Sequence, residues 1–196
     1  MGCDIHGAIE ADGPHGWDYL ADLGWLVGRS YSTFGCLFGV RNYAGFDPAF
    51  EGRGFPSDRS WKLDSIIEDY AERDLIGAVD CHSPSYAWLD ELLALDWDER
   101  AEELGERYSV LDEHGEPTGT KFSWAHGLDE LDSEQKKALD DGERIEWGND
   151  RCLQRLQISR REALSGAWEW FIFDHLPAFG RRYDYDNIRV VVWFDN

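Results

Sequence analysis

The hydrophobic pattern predicts strands at both ends of the chain and helices between them. Residues 3–10 alternate between apolar and polar positions, which predicts a strand. The turn-forming residues 11–16 and the apolar stretch 17–20 predict that this strand continues into a hairpin. The chain closes on residues 188–194, an almost unbroken apolar run that is typical of a strand buried on both faces.

Apolar residues three or four positions apart predict helices between these strands. The first is a short buried helix that starts near Tyr31 and ends at Gly39. The longest pattern runs from Ile158 to Phe179 and has Pro177 at its end. Shorter helices are predicted over 63–70, 91–95 and 133–139, a strand over 85–89, and a hairpin around 113–116.

These elements predict an α/β (α+β) fold, and the length of 196 residues suits a single domain over 1–196. We expect one small mixed sheet in which the first and last strands are neighbours. Apolar strands at the two chain ends have few other ways to pair their backbone groups. The sheet is expected to pack on the long helix Ile158–Phe179.

The charge of the chain is extreme, with 40 acidic against 19 basic residues and a net charge of −21. Only four basic residues are lysines (Lys62, Lys121, Lys136 and Lys137). Carboxylate-rich surfaces suit media in which salt screens self-repulsion, so the composition predicts a halophilic protein of archaeal or viral origin. Mimicry of nucleic acid is the alternative, although the acids are spread along the chain rather than striped. Direct nucleic-acid binding is not expected without a basic run.

The cysteines and the N-terminus bear on the compartment. Four widely spaced cysteines form no C-x-x-C pair, which favours a reducing cytoplasm. The N-terminus is not a signal peptide, and no apolar stretch approaches the roughly 20 residues of a membrane span. We therefore expect a cytoplasmic protein of a host cell at high salt, without a membrane partner.

A repeated Asp-x-His pattern is the sharpest chemical feature. Asp4-Ile5-His6 lies in the first predicted strand, and Asp80-Cys81-His82 lies just before another. Residues i and i+2 of a strand project to the same face, so each pair presents a carboxylate beside an imidazole. Such donors suit Zn, Mn or Fe, and Asp4, His6, Asp80 and His82 are therefore candidate ligands for one or two divalent ions.

Other polar residues are candidates for the same site. Asp195 ends the last strand and is a candidate ligand or catalytic base. Arg53 lies in a long loop and is a candidate clamp for an anion, although an ion pair with a loop carboxylate fits it equally well. Candidate binding residues are Asp58, Ser83 and Ser85.

Three alternatives to the Asp-x-His metal site stay open. Cys3 and His6 with Cys81 and His82 form a possible zinc set, which requires an irregular backbone because strand alternation separates Cys3 from His6. The polar residues also fit a metal-free pocket. Finally, two-residue coincidences are common in a chain this rich in Asp, and each residue has an ordinary structural role available.

Five segments form a set of landmarks from residue 1 to residue 196. They are the opening Met-Gly-Cys-Asp-Ile-His, the pattern R-x-Y-x-x-F-x-x-L-x-x-V-R-N at Arg29–Asn42, Arg53-Gly-Phe-Pro-x-Asp58, Asp80-x-His82-Ser83-x-Ser85, and the closing Val-Trp-Phe-Asp-Asn. Together they resemble an uncharacterised family encoded by tailed phages, archaeal viruses and their hosts. That family has no established activity, so the resemblance implies a viral setting and not a reaction. Residues 96–150 lie outside the landmarks and look like an acidic insertion within the domain.

The combined prediction is a virus-encoded, metal-dependent hydrolase that acts on a phosphate-containing small molecule or nucleotide. A divalent ion would activate water, and Arg53 would hold the phosphate. The alternative is a non-enzymatic binding protein that sequesters a host signalling molecule or a host protein. The hydrolase requires its four ligands to converge, and His6 and His82 on different sides of the fold would contradict it.

Overall fold

The computed structural model describes residues 2–74, 81–105, 108–122, 131–148 and 151–195. Within them the chain is mixed α/β, as predicted. In chain order the elements are β1 (Asp4–Gly13), β2 (Gly16–Asp22), α1 (Tyr31–Phe38), α2 (Trp61–Asp74), β3 (His82–Trp88), α3 (Leu89–Ala94), β4 (Tyr108–Leu111), β5 (Pro117–Phe122), α4 (Ser133–Asp140), β6 (Ile145–Glu146), β7 (Cys152–Arg155), α5 (Arg160–Ala163), α6 (Gly166–Trp170), α7 (Leu176–Gly180) and β8 (Ile188–Asp195). Among these helices, none is long and apolar enough to cross a membrane.

The strands form two antiparallel sheets, in the orders β2-β1-β8-β3 and β5-β4-β7-β6. The first and last strands are neighbours, as predicted, and pair from Asp4 opposite Asp195 to Ala11 opposite Ile188. The prediction of one mixed sheet is wrong. The hairpin predicted around 113–116 joins β4 to β5, but β6 and β7 gave little sequence signal because they are only 2 and 4 residues long.

β8 lies inside the first sheet and is buried on both faces. Val192 and Phe194 belong to the larger core, where Phe194 meets the ring of Phe34 from α1 at a centroid distance of 5.2 Å. Val191 and Trp193 belong to a smaller core on the opposite face, together with Leu63 of α2. Strand alternation therefore decides which side chains face α1 and which face α2.

The predicted long helix Ile158–Phe179 is interrupted. Leu164 has an extended backbone and ends α5, and the helical segment that follows has 15 residues, 166–180. A π-helical turn, Phe171–His175, joins α6 to α7 directly before Pro177. Proline has no N–H to donate to the carbonyl four residues back, which explains the wider turn. The segment still packs on the larger core, as predicted.

The second sheet has its own small core with α4. Its buried residues are Tyr108, Val110, Leu131, Leu139 and Leu153. β4, β5, β6 and α4 lie within the range 96–150, whereas β7 follows it. The interpretation of that range as an acidic insertion stays a prediction.

A buried arginine ties the loop after α1 to the rest of the fold. Arg160, which is 4% exposed, donates to the carbonyls of Cys36 at 2.7 Å and Asp47 at 2.6 Å. The same guanidinium forms an ion pair with Glu99 at 2.9 Å. These bonds satisfy a charge that is costly to bury alone.

Candidate functional site

The first sheet separates His6 from His82, the histidines of the two Asp-x-His segments. His6 is paired with Trp193 in the sheet and stacks on its ring at 6.0 Å. His82 is paired with Phe194 and stacks on that ring at 6.1 Å. Because Trp193 and Phe194 are consecutive in β8, their side chains point to opposite faces of the sheet. His6 and His82, which stack on these two rings, therefore also lie on opposite faces. The predicted convergence of His6 and His82 is therefore wrong, and Asp80 lies outside the described residues.

The remaining candidates near these histidines have structural partners. Asp4 forms an exposed ion pair with Arg29 at 2.6 Å. Ser83 has a positive φ of 50° at an irregularity of β3, and its hydroxyl lies 2.9 Å from His82 Nδ1. Buried Ser85 donates to the carbonyl of Phe50 and fastens the long loop to β3.

Metal ligation is not favoured by this arrangement. Among the described residues, no three His, Cys, Asp or Glu side chains are grouped so that they could hold one ion. The alternative zinc set is also divided, since Cys3 belongs to the larger core and Cys81 packs against the smaller one. Burial raises the pKa of Cys3, which disfavours the thiolate that zinc requires. A divalent cofactor stays a prediction that the geometry does not support.

Arg53 forms an ion pair with Glu91, which lies in α3 and not in a loop as the alternative to an anion clamp assumed. Its guanidinium donates twice to Glu91, at 2.6 and 3.0 Å, and lies 4.9 Å from the centroid of the Phe50 ring. Burial by itself would raise the pKa of Glu91, but hydrogen bonds from Arg53 and from the Trp88 backbone outweigh it and leave the pKa low. Two N–H groups of the Arg53 guanidinium are thus already bonded to the Glu91 carboxylate, which leaves Arg53 a weak candidate for an anion clamp.

Asp58 is the exposed member of an ionic network whose other charges, Arg189 and Glu10, are buried, and the sequence interpretation missed this network. Arg189 donates to Asp58 at 2.8 Å and pairs with Glu10 at 2.9 Å, and its guanidinium carbon lies 3.6 Å from the centroid of the Trp17 ring. Trp17 Nε1 also donates to Asp58 at 3.0 Å. The hydrogen bond from Arg189 lowers the pKa of Asp58. The sequence signal for this network was Arg189, the one charged residue in the apolar run 188–194.

Asp195, His6 and Tyr70 form a hydrogen-bonded chain on the α2 face of the sheet. The pairing of β1 with β8 brings Asp195 Oδ2 to 3.0 Å from His6 Nε2. The Tyr70 hydroxyl, on α2, lies 2.9 Å from His6 Nδ1. An ionised Asp195 accepts a hydrogen bond from the N–H at Nε2. Nδ1 then carries no proton and accepts a hydrogen bond from the Tyr70 phenol. The side chains of His6 and Asp195 are 26% and 24% exposed, so the chain reaches solvent.

A cleft of about 140 Å³ adjoins this chain, and we call it the aromatic cleft. Its lining consists of Phe55, Ile67, Tyr70, Ala71, Cys81 and Trp193. The Trp193 ring meets those of Tyr70 and Phe55 nearly edge to face, at 5.4 and 5.8 Å. A cavity of about 150 Å³ is large enough for a benzene-sized molecule. From the sequence, Ile67 and Tyr70 belong to one apolar face of the helix predicted over 63–70.

No family model, no curated protein and no solved structure matches this chain. The viral resemblance therefore stays a prediction. The feature with the most chemical content is the aromatic cleft and its chain of Asp195, His6 and Tyr70.

Proposed function

We propose that this protein binds a small, uncharged, ring-bearing molecule in the aromatic cleft. The observation that carries the proposal is the cleft of about 140 Å³, walled by three aromatic rings and continuous with the hydrogen-bonded chain through Tyr70. Apolar walls with a few placed polar groups are the usual composition of a ligand pocket. Drug-sized ligands occupy roughly 300–1,000 Å³, so this cleft suits one ring rather than a nucleotide.

The electrostatics also favour an uncharged ligand. The net charge of −21 repels anions, at long range in low salt and only close to the surface in molar salt. Arg53 and Arg189 are both paired with carboxylates and are poor candidates for binding phosphate. Binding without a metal is shared with the alternative predicted from the sequence, but that alternative placed the candidate polar residues in the lining, whereas the lining of the aromatic cleft is mostly apolar. Sequestration of a small host molecule would be its viral use.

Metal-dependent hydrolysis of a phosphate compound is the less supported hypothesis. Its predicted ligands His6 and His82 lie on opposite faces of the sheet. A single ion cannot be reached from both faces, because metal–nitrogen distances are only about 2.0–2.1 Å.

Saturation-transfer NMR with phenylacetone, a neutral ketone with one ring, tests the proposal. We expect transfer to the ring protons of the probe when the full-length protein is present. Ala71→Phe fills the cleft from its lining and is expected to abolish the transfer. Glu68→Phe places the same ring on an exposed part of α2 outside the lining and should leave the transfer unchanged.

Two results would contradict the proposal. One is the absence of saturation transfer from the wild-type protein at millimolar phenylacetone, because a ring-sized apolar cleft binds such probes whatever its natural ligand. The other is equal transfer in the wild type and in Ala71→Phe, which would place the binding elsewhere on the protein.

A further inference from the structure

Tyr70 belongs to two structures at once, the aromatic cleft and the hydrogen-bonded chain. Its ring lines the cleft, while its hydroxyl lies 2.9 Å from His6 Nδ1. The other imidazole nitrogen lies 3.0 Å from the carboxylate of Asp195. Simple ligand binding needs the ring of Tyr70 but leaves the ordered imidazole and carboxylate behind it unexplained.

This arrangement is suited to moving a proton. When the phenolic proton passes to His6 Nδ1, the imidazole becomes a cation, and the adjacent carboxylate of Asp195 stabilises it. The Tyr70 oxygen is then a base at the edge of a cleft whose apolar walls strengthen electrostatic interactions. Because His6 and Asp195 are about a quarter exposed, the chain can exchange protons with solvent and return to its starting state.

We propose that the aromatic cleft is catalytic and isomerises a ring-bearing carbonyl compound by proton transfer, an inference that rests on the binding function above. Tyr70 takes a proton from the carbon next to the carbonyl, and the electron pair of that C–H bond moves to the carbonyl oxygen as an enolate. Tyr70 then gives this proton to the oxygen of the enolate, so that the carbonyl compound becomes its enol, and His6 returns its extra proton to the Tyr70 phenolate. Tyr70 is the catalytic residue, whereas His6 and Asp195 act through it as positioning residues.

An isomerisation is the class of reaction that the described residues can support without a cofactor or a second reactant. The substrate and product have the same atoms and the same oxidation level, so neither an oxidant nor a second substrate is required. The described cleft lining carries no charged side chain, which fits a neutral substrate better than a phosphate ester.

Exchange of hydrogen for deuterium in phenylacetone tests this step in the full-length protein. In D₂O the methylene protons between ring and carbonyl are replaced each time the enolate forms, and their ¹H NMR signal decays. We expect wild-type protein to accelerate this decay over buffer. Tyr70→Phe should slow it about 100-fold or more, since positioned acid–base groups contribute roughly 10²–10⁴-fold. Exposed Tyr185 provides the control, because Tyr185→Phe should leave the rate unchanged.

The positioning roles of His6 and Asp195 are tested by rescue of the exchange rate, which would not be seen if these residues only held the fold together. We expect His6→Ala to lose the exchange activity and to regain part of it when free imidazole is added. Asp195→Asn should lower the rate, and Asp195→Glu should restore part of it. Suppose that the variants stay folded while imidazole fails to restore His6→Ala and Asp195→Glu is no faster than Asp195→Asn. In that case the hydrogen-bonded chain of Asp195, His6 and Tyr70 has no role in proton transfer.

Saturation transfer on the same samples separates the two proposals. Exchange no faster than in buffer, with phenylacetone still bound, overturns catalysis and leaves the binding function standing. Exchange by Tyr70→Phe at the wild-type rate also overturns it. Absence of binding in the wild type overturns both proposals together.

Discussion

Arg189 and Glu10 form an ion pair that is almost completely removed from solvent, with side chains 1% and 0% exposed. Each charge has further partners, because Ser60 donates to Glu10 through its backbone N–H at 2.9 Å and its hydroxyl at 2.6 Å. The carboxylate of Asp58 accepts a hydrogen bond from another guanidinium N–H of Arg189. Fully hydrogen-bonded charges can be tolerated in a core, but loss of one partner leaves the other uncompensated.

Arg189→Met is therefore expected to lower the free energy of unfolding by about 3–5 kcal/mol. Chemical denaturation in molar KCl measures this difference. Arg29→Met removes the exposed pair with Asp4 and is the control, for which we expect a far smaller loss. A loss for Arg189→Met no greater than that for Arg29→Met would show that the buried network does not hold the fold.

Asp58 gives the network a dependence on pH. The hydrogen bond from Arg189 lowers its pKa in the folded state, so the ionised form stabilises the fold above the unfolded pKa. This contribution is lost as the pH falls through the folded pKa. We expect the difference in unfolding free energy between wild type and Asp58→Asn to be largest near neutrality and to vanish in acid. A difference independent of pH over that range would contradict the assignment.

Elements with a clear hydrophobic period were predictable, whereas the contacts between them were not. The alternation in residues 3–10 and the apolar run at 188–194 predicted two neighbouring strands, and the structure pairs them. The site depended on register: shifting a strand by one residue moves its side chains to the other face. Nothing in Asp80-Cys81-His82 indicates that His82 lies opposite Phe194 rather than Trp193. Tyr70 was not predicted as a site residue because its ring fits the apolar pattern of the helix, and that pattern carries no information about the hydroxyl.

The end of α1 is set by one glycine. Gly39 has a φ of 76°, which side chains with a Cβ rarely adopt, and a Cβ there would lie 2.6 Å from the Glu51 side chain. Gly39→Ala should cost about 1–2 kcal/mol of unfolding free energy because of this left-handed backbone. At Gly28, where φ is not positive and no atom lies within 4 Å of an added Cβ, alanine should have little effect. Equal effects at both positions, measured by chemical denaturation, would refute the argument.

At the scale of the whole molecule, the net charge of −21 is the dominant electrostatic feature. The screening length falls from about 10 Å at 0.1 M salt to about 3 Å at 1 M, which weakens repulsion among surface carboxylates. We predict that the melting temperature rises steeply between low salt and molar KCl. Differential scanning calorimetry across that range measures it, and an unchanged melting temperature would contradict halophilic adaptation.

The two faces of the first sheet have different roles in this account. The α1 face contains the larger core, whereas the α2 face has the smaller core, the aromatic cleft and the chain of Asp195, His6 and Tyr70. A binding and reaction site on the α2 face is the central claim. Because strand alternation separates the faces, the claim predicts which side chains a bound ring contacts.

Intermolecular nuclear Overhauser effects between phenylacetone and the full-length protein test that claim most directly. We predict effects from the ring protons of phenylacetone to the aromatic protons of Tyr70 and Trp193, which line the cleft. The surface rings of Trp25 and Trp61, which are 90% and 79% exposed, offer the competing explanation of unspecific contact. Effects to Trp25 or Trp61 alone, with none to Tyr70 and Trp193, would contradict the account.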